Sequence, residues 1–585
     1  MAERRRDQRS LRRQAPSTRQ GPSPGASPGR AATFPARFWL VSLALFALAL
    51  AFRLIVQHQI STWPLFDQVE FIADSRYYDL MARRVAGGNL VLNHAYFLSP
   101  LYIYLLAAAY ALFGTGPATA FTLQAVLSAA SCVLAYWIGR RLFGEIAGLI
   151  AGLLLALYGF VIYQSMMLLP GTLVLFLNLL ALWIIVGLGE RLSPGRLLAG
   201  GLVIGLAAAA KANALLLVPA AGLVILLRRE HTPLRRWQGV LLLATGSLLA
   251  VAPFTLHNYA ASDRFVLLST TGGRNLWKGN GPGATGTHAF MEKALTGMGL
   301  QPHMADEVDA QAAVADSRRL TEEALQYMAT HPGRTAQLWL EKLGLFFHAR
   351  ELGIRDQYYF IRQYVPLLRL PLPAFAWVVP LGLVGLVTAL RAGRGSLIAA
   401  FLAAQVLSFV LIFVLGRYRL VAVACLAILA GHQFVWWWQA LRTRLWRPLA
   451  VTGVLLLIAL LLVNRPLPAF PTDRGFGDQY LALGRYYMSQ RDFPTAIETF
   501  SQALEARWVE QPYLASSQAD ARFRIGLCQF FLGRKVEARD TLAQLLDDLR
   551  RDPDGVEAAQ IEEIRRALQQ VEQSLAAPDS SRTSE

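Results

Sequence analysis

Little of this sequence is charged, and hardly any of it is cysteine. Only 16% of the 585 residues are Asp, Glu, Lys or Arg, while 54% are hydrophobic, a balance too apolar for a soluble chain of this length. The three cysteines, Cys132, Cys425 and Cys528, stand far apart, which excludes a disulfide framework and any zinc-type spacing. No cluster of His, Cys and acids has metal-ligand spacing. The Gly-rich, Lys-Ser/Thr run that cradles nucleotide phosphates is also missing. Acids are scarce too, so the net charge is +17. Nucleic acid is nevertheless excluded as a partner, because no basic face interleaved with aromatics occurs. Nine arginines against Glu3 and Asp7 put +7 in residues 1–37 alone.

What is abundant is apolar sequence in runs of about 17–25 residues, the mark of a polytopic helical membrane protein. The mean hydropathy is +0.37. Residues 1–37, rich in Arg, Pro, Gly and Ser, read as a disordered basic tail on the cytoplasmic side. No small-residue cleavage pattern follows the first apolar run, so it reads as a retained span rather than a signal peptide. Spans are expected at 38–56, 101–113, 118–139, 146–163, 171–188, 197–228, 236–256, 372–390, 396–415, 418–438 and 449–463, about eleven in all. The run 197–228 is too long for one straight crossing, and Lys211-Ala212-Asn213 is where it should break. Arg228, Arg229, Arg235 and Arg236 mark a cytoplasmic loop, as do Arg391 and Arg394. The membrane domain is thus 38–465, with external loops 57–99 and 257–369. Within the second loop, the Gly-, Asn- and Thr-rich stretch 257–288 reads as an ordered loop. Helices are expected at 305–330 and 334–349, the latter amphipathic.

Residues 475–577 are polar and helical. Tyr480, Leu483, Gly484, Tyr487, Ala496, Phe500 and Ala503 fit the tetratricopeptide helix-turn-helix template. Gly484 and Ala496 would let the two helices approach closely. A weaker second copy, with Gly526, Ala538, Leu542 and Leu545, starts later than the ~34-residue period, so an insertion lies within 507–520. A helix near 556–576 would cap the array. Two repeats are marginal alone, so support from the membrane domain is expected. Residues 578–585 read as a disordered tail.

The first external loop carries Asp67, Glu70, Asp74 and Asp79. Solvated helix-capping acids explain Asp67 and Glu70. Asp74 differs, because it opens the helical run Asp74 to Gly87, where the helix dipole favours an ionised carboxylate. Such a carboxylate at a membrane face can take a proton from an acceptor hydroxyl. On the same side by topology lie Arg417 and Arg419, flanking Tyr418; their bland reading is anchorage of a span end at the headgroups. His94 and Tyr96 read as interfacial residues. Lys211, inside an apolar run, should snorkel or pair and is given no chemistry.

Several motifs, taken in order, resemble one family. Asp74-Ser75-Arg76-Tyr77-Tyr78 with Gly87-Gly88 and Ser99-Pro100-Leu101-Tyr102 is similar to the first external loop of type C glycosyltransferases, in the branch of protein O-mannosyltransferases and the aminoarabinose transferase. Gly272-Gly273-Arg274-Asn275-Leu276-Trp277-Lys278-Gly279-Asn280 resembles the external Gly-Asn loop of bacterial members. The stretch from Tyr327 to Glu351, with Lys342, resembles their juxtamembrane helix pair. Gly416-Arg417-Tyr418-Arg419-Leu420 resembles the start of a late span. The sequence departs from the pattern at Ser75, where relatives carry Glu, at Ser99, where the aminoarabinose enzymes carry Lys, and at Leu169-Pro170-Gly171, where many relatives carry an acid.

The resemblance implies an all-α membrane glycosyltransferase that takes a sugar from a polyprenyl phosphate. The acceptor would be a protein, a lipid or a glycan at the outer face of a bacterial inner membrane. Transfer would invert the anomeric carbon, with Asp74 as base. Tyr78, Arg417, Tyr418, Arg419, Asn275, Asn280 and Lys342 become substrate-binding candidates; Asx and Gly turns explain the two Asn equally well. Divalent-ion use varies across the superfamily and stays open. The C-terminal array would lie outside and could hold a protein partner. The alternative function is an inactive membrane scaffold that recruits envelope partners through its repeats. A transporter is disfavoured, because the charges cluster at one face rather than at the midplane.

Overall fold

The computed structural model describes residues 36–63, 73–188, 192–287, 310–353, 357–466, 476–506, 514–551, 556 and 558–576, and among these every regular element is helical. Asp67 and Glu70, most of the basic tail, and the tail 578–585 lie outside the described residues. Two units partition the chain, Met1–Leu43 and Ala44–Glu585. Of the first, the described residues are only the start of a helix.

Helix α1 (Ala36–Ser61) is followed by α2 (Ala73–Ala86), α3 (Pro100–Phe113) and α4 (Pro117–Phe143). Next come α5 (Glu145–Ala156), α6 (Gly159–Gln164), α7 (Gly171–Val186), α8 (Pro194–Ala210), α9 (Leu217–Leu226) and α10 (Pro233–Ser262). Proline opens four of these, α3, α4, α8 and α10, where its missing N–H costs nothing. Among the described residues five helices, α1, α4, α10 and two late ones, are long and apolar enough to cross a membrane, and seven further apolar segments run 10–17 residues. A 14-residue helix such as α3 spans only about 21 Å, short of a ~30 Å hydrocarbon core. The protein is therefore an all-helical, multi-pass membrane protein in which several apolar helices are shorter than the even alternation of eleven spans expected.

Two breaks account for part of that. The run 197–228 parts at Lys211, which is extended (φ −162°, ψ 113°) between α8 and a 3-10 turn at Ala212–Leu216. That is the expected place. The second break, at Leu157 and Tyr158, divides the segment expected to run unbroken over 146–163. Its cause is Arg53 of α1, fully buried. The guanidinium donates to the Ala156 carbonyl freed by the break (3.1 Å), to Ala49 O (2.8 Å) and to Ser128 Oγ (2.7 Å).

Helices α8 and α10 pack closely, and small residues explain why. A Cβ on Gly201 would sit 2.1 Å from Leu243 O, and one on Gly246 2.3 Å from Leu198 O. Any larger side chain would separate the two backbones.

The external part contains α11 (Gly272–Asn280), α12 (Ala310–Thr330) and α13 (Pro332–Phe346). The expected loop 257–288 is only partly one: α10 runs on to Ser262 and α11 forms within it, while 263–271 and 281–287 are non-helical. The glycines of α11 serve close approach: a Cβ on Gly273 would fall 1.7 Å from Ser317 O and one on Gly279 1.8 Å from Ile412 O. Trp277 packs on Leu320 and Ala324 of α12. After the short helices α14 (Gln357–Ile361) and α15 (Pro366–Arg369), the apolar helices α16 (Phe375–Arg391), α17 (Ser396–Val410), α18 (Leu420–Arg442) and α19 (Trp446–Val463) follow.

Among the described residues the C-terminal array has five helices, α20 (Gly477–Ser489), α21 (Phe493–Glu505), α22 (Leu514–Phe531), α23 (Lys535–Arg551) and α24 (Ala558–Ala576). Gly484 lies flat on the Phe500 ring, and Gly526 on Leu542, each where a Cβ would clash. The array is not free-standing. Phe476, Tyr480 and Leu483 share an apolar cluster with Phe360 and Trp63.

Candidate functional site

Asp74 stands in the first turn of α2, where the orphan N–H groups of the helix favour its charge. Aromatic packing holds that helix in place. Tyr78, four residues on, meets Tyr102 edge to face at 4.9 Å, and its hydroxyl accepts from Ser99 N (3.3 Å). Tyr77 packs on Phe97 at 5.8 Å and accepts from its N–H. Burial drives the Tyr78 phenol well above its ordinary pKa, so it stays neutral. The loop's far end is tied to α10: Asn258 Oδ1 accepts from Tyr96 N (2.9 Å), and its Nδ2 donates to the Val266 and Leu268 carbonyls. Tyr96 stacks on His257 at 4.4 Å.

Across the sequence, Arg417 comes to Asp74. Its Nη2 lies 3.1 Å from Oδ2, with the arginine side chain 16% and the aspartate 36% exposed. Arg417 sits in a 3-10 turn, Gly416–Tyr418, just ahead of α18. Gly416 is required there, because a Cβ would press on Phe160, Glu351 and the Leu352 carbonyl, all within 3.2 Å. Tyr418 stacks on Phe409 of α17 at 5.2 Å. Over the face of the Tyr418 ring stands Lys211 Nζ, 3.1 Å from the centroid. The unwound turn between α8 and α9 thus delivers a lysine to the Arg417-Tyr418 corner. No carboxylate pairs with Lys211 among the described residues. The cluster therefore holds two cations, one carboxylate and one phenol, a net charge of +1 in a half-buried place. Unbalanced positive charge of that kind favours an anion.

The other expected binding residues separate into groups. Arg419 turns away from Arg417 and is fully buried. It donates to the carbonyls of Phe346 (3.2 Å), His348 (2.7 Å) and Arg350 (2.6 Å), and pairs with Glu351 at 2.7 Å. Tyr158 donates to the same carboxylate at 2.8 Å. Both terminal nitrogens of Arg419 are thus engaged by the chain, while its buried Nε has no partner among the described residues. Tyr78, with its hydroxyl on the Ser99 amide, supports the loop. Asn280 and Lys342 do come together, Nζ donating to Oδ1 at 2.8 Å. Asn280 also accepts from Trp339 and donates to the Leu276 and Leu411 carbonyls. It is saturated, and it ties α11, α13 and the end of α17. Lys342 is fully buried, and burial lowers its amine to about 7. Asn275 is half-buried on α11, and nothing described brings it to the Asp74 cluster. Asp79 is engaged by Tyr110 (2.5 Å) and Arg83 (2.7 Å). Among the described residues, no group of three or more His, Cys, Asp or Glu gathers as a metal-ligand set.

Lys211 is the residue that the sequence hid. Its charge in an apolar run was the available signal, but only the fold puts it beside Tyr418. Asn258, Tyr158 and Glu351 were unmarked for the same reason: their partners are distant in sequence.

Residues 94–257 match the family described as dolichyl-phosphate-mannose-protein mannosyltransferase. The matched stretch includes Lys211 and stops short of Asp74 and Arg417 on either side. No curated protein matches the chain. Among solved structures, the apo oligosaccharyltransferase of Archaeoglobus fulgidus aligns over 83% of this chain at 13% identity with a TM-score of 0.41. The AglB oligosaccharyltransferase of the same organism, in complex with an inhibitory peptide and a dolichol-phosphate, aligns over 77% of this chain and 58% of its own, at 13% identity with a TM-score of 0.41. ArnT from Cupriavidus metallidurans, bound to undecaprenyl phosphate, aligns over 68% of this chain and 77% of its own, at 16% identity with a TM-score of 0.34. The chain spans 57% of the length of the first of these.

Proposed function

We propose that this protein is a membrane glycosyltransferase that moves a sugar from a polyprenyl phosphate to an acceptor hydroxyl at the outer face, with inversion. The observation that carries the reading is the meeting of Asp74, Arg417, Tyr418 and Lys211, four groups from three distant segments with one surplus positive charge. Polyprenyl phosphate is already a good leaving group, so the enzyme needs a base for the acceptor and cations for the departing phosphate.

In this reading the Asp74 carboxylate takes the acceptor's hydroxyl proton as the oxygen attacks the anomeric carbon. The bond between that carbon and the phosphate oxygen breaks, and the electron pair leaves on the phosphate. Arg417 spends one N–H on Asp74 and keeps others of its five for the phosphate. Lys211 adds a second, point-like cation, and the Tyr418 ring between them orients both. One displacement inverts the centre. Donor lipids of this kind agree with the mannosyltransferase-family match at 94–257. The five C-terminal helices we read as tetratricopeptide-like, on the close approaches of Gly484 to Phe500 and Gly526 to Leu542.

The test is mass spectrometry of cell-envelope glycans and glycoproteins from cells making the wild type or the Asp74→Asn variant at equal abundance. A sugar modification present with the first and missing with the second is expected, and it names both sugar and acceptor. Identical profiles, with the wild-type modification intact in the variant, would exclude Asp74 as the base and favour a scaffold.

A further inference from the structure

The corner that carries Arg417 is not anchored by its own span alone. Five hydrogen bonds dock residues 416–419 on the segment that leaves α13. Gly416 N donates to Leu352 O (2.6 Å), and Arg419 makes the four contacts with Phe346, His348, Arg350 and Glu351 already described. That segment is in turn fastened to α14. The Tyr359 hydroxyl accepts from Glu351 N (2.9 Å), and the Arg350 guanidinium lies 4.9 Å over the Tyr359 ring. Tyr358, the next residue back, packs on Phe160 and Tyr163 at 5.3 Å each, and Tyr163 lies within electrostatic reach of Arg417.

The other side of this one-and-a-half-turn helix faces the C-terminal array. Phe360, fully buried, meets Tyr480 edge to face at 5.2 Å, Phe476 at 5.4 Å and Trp63 at 6.2 Å. The start of the connection to the array is stapled to the same segment: Ala349 N donates to Val463 O (2.9 Å), and His348 Nε2 bonds Arg465 O (3.0 Å). An unbroken series of contacts therefore runs from Tyr480 through Phe360, Tyr359 and Glu351 to Gly416, and so to Arg417 and Asp74. Trp63, at the end of α1 ahead of the Asp74 helix, closes the aromatic clasp from the opposite side.

We propose that the C-terminal helical array is a positioning element of the transfer site, with Phe360 as the residue through which it holds Arg417 at Asp74. This rests on the reading of the Asp74–Arg417 corner as the phosphate site. A helix of five residues, Gln357–Ile361, cannot keep its own shape in water, because helix nucleation is costly. Its geometry is imposed by what clasps it, and the array supplies much of the clasp. A partner or acceptor that binds the array and shifts Tyr480 would change the donor site without touching it.

The test uses the full chain in lipid nanodiscs, as wild type, Phe360→Ala, Tyr480→Ala and Phe360→Leu. Amide hydrogen exchange is followed at 346–352 and 416–420, and binding of undecaprenyl phosphate is titrated on the same samples. Exchange at both segments should rise at least about tenfold in the two alanine variants, with undecaprenyl phosphate affinity down about fivefold or more; Phe360→Leu should restore both. If the array's own amides quicken while 346–352 and 416–420 stay protected, the array is a passenger and the proposal is overturned. Tyr480→Ala guards against simple misfolding, since it alters the array and leaves α14 intact. Should wild-type protein fail to bind undecaprenyl phosphate at all, the phosphate-site reading falls. The exchange result alone then decides whether the array holds the corner.

Discussion

Replacing Asp74 by Asn keeps the shape of the side chain and removes its charge and its capacity to accept a proton. The structural cost should be small. At the 3.1 Å contact with Arg417, two unit charges with an effective dielectric near 20 attract by about 5 kcal/mol. Asp74 keeps 36% of its side-chain exposure, however, and screening together with the desolvation both charges have suffered reduces the net to about 1 kcal/mol. The α2 helix has independent anchors in the Tyr78–Tyr102 and Tyr77–Phe97 contacts. Catalysis should suffer far more, since a positioned general base contributes about 10²–10⁴ in rate.

Donor binding should move the opposite way. With Asp74 neutral, the charge at the corner rises from +1 to +2, and Arg417 is released to a phosphate. The Asn variant should therefore bind undecaprenyl phosphate a few-fold more tightly, while turnover falls by about 10²–10⁴. The assay measures sugar transfer and undecaprenyl phosphate titration on one nanodisc preparation, with thermal unfolding as the control. A variant that transfers sugar at more than about a tenth of the wild-type rate refutes the base assignment. One that binds the phosphate more weakly refutes the charge balance on which the site rests.

Arg417→Met and Lys211→Met should each weaken undecaprenyl phosphate binding by about ten-fold or more, with the steeper salt dependence of the wild type reduced in both; unchanged titrations would remove them from the site. Arg419→Met should instead act on folding, because it strands the buried Glu351 carboxylate, a loss of about 3–5 kcal/mol that appears as low yield and low thermal stability. Normal stability with lost phosphate binding would reverse the roles given to the two arginines. Lys342 supplies a pH test. Its folded amine lies at about 7 through burial and its unfolded amine at about 10.4, so between these values the unfolded chain binds more protons and stability rises with pH. Lys342→Met should flatten the rise in unfolding temperature between pH 7 and pH 9; an equal slope in both proteins would show that other groups carry it.

The sequence displays its helices well, because apolar runs, Pro at helix starts and Gly at helix ends act locally. It displays direction poorly. Arg417 and Arg419 are two apart in one motif and look equivalent, yet a 3-10 turn sends one to Asp74 and the other into a nest of carbonyls. The Lys211 break was visible as a charge in an apolar run, but its chemical meaning depends on Tyr418, more than two hundred residues away. The Gly-Asn stretch misled in a different manner. Its glycines suggest turns, and Gly283 and Gly286 with positive φ do make them, whereas Gly273 and Gly279 serve the approach of α11 to Ser317 and Ile412 backbone, a requirement set by tertiary packing.

These differences bear on which contacts the protein can release during a reaction. The Asp74–Arg417 pair joins segments that are each fixed by something else. Ring stacking and backbone hydrogen bonds hold the Asp74 helix, and the bonds to Leu352, Phe346, His348 and Arg350 hold the Arg417 corner. Breaking the pair therefore moves neither partner far, and in the proposed transfer the guanidinium would pass from carboxylate to phosphate at little cost. Arg419 has no such freedom, since no water reaches the carboxylate and carbonyls it would leave behind. One arginine of the motif is thereby available for chemistry because the other, two residues on, is permanently committed to holding the turn.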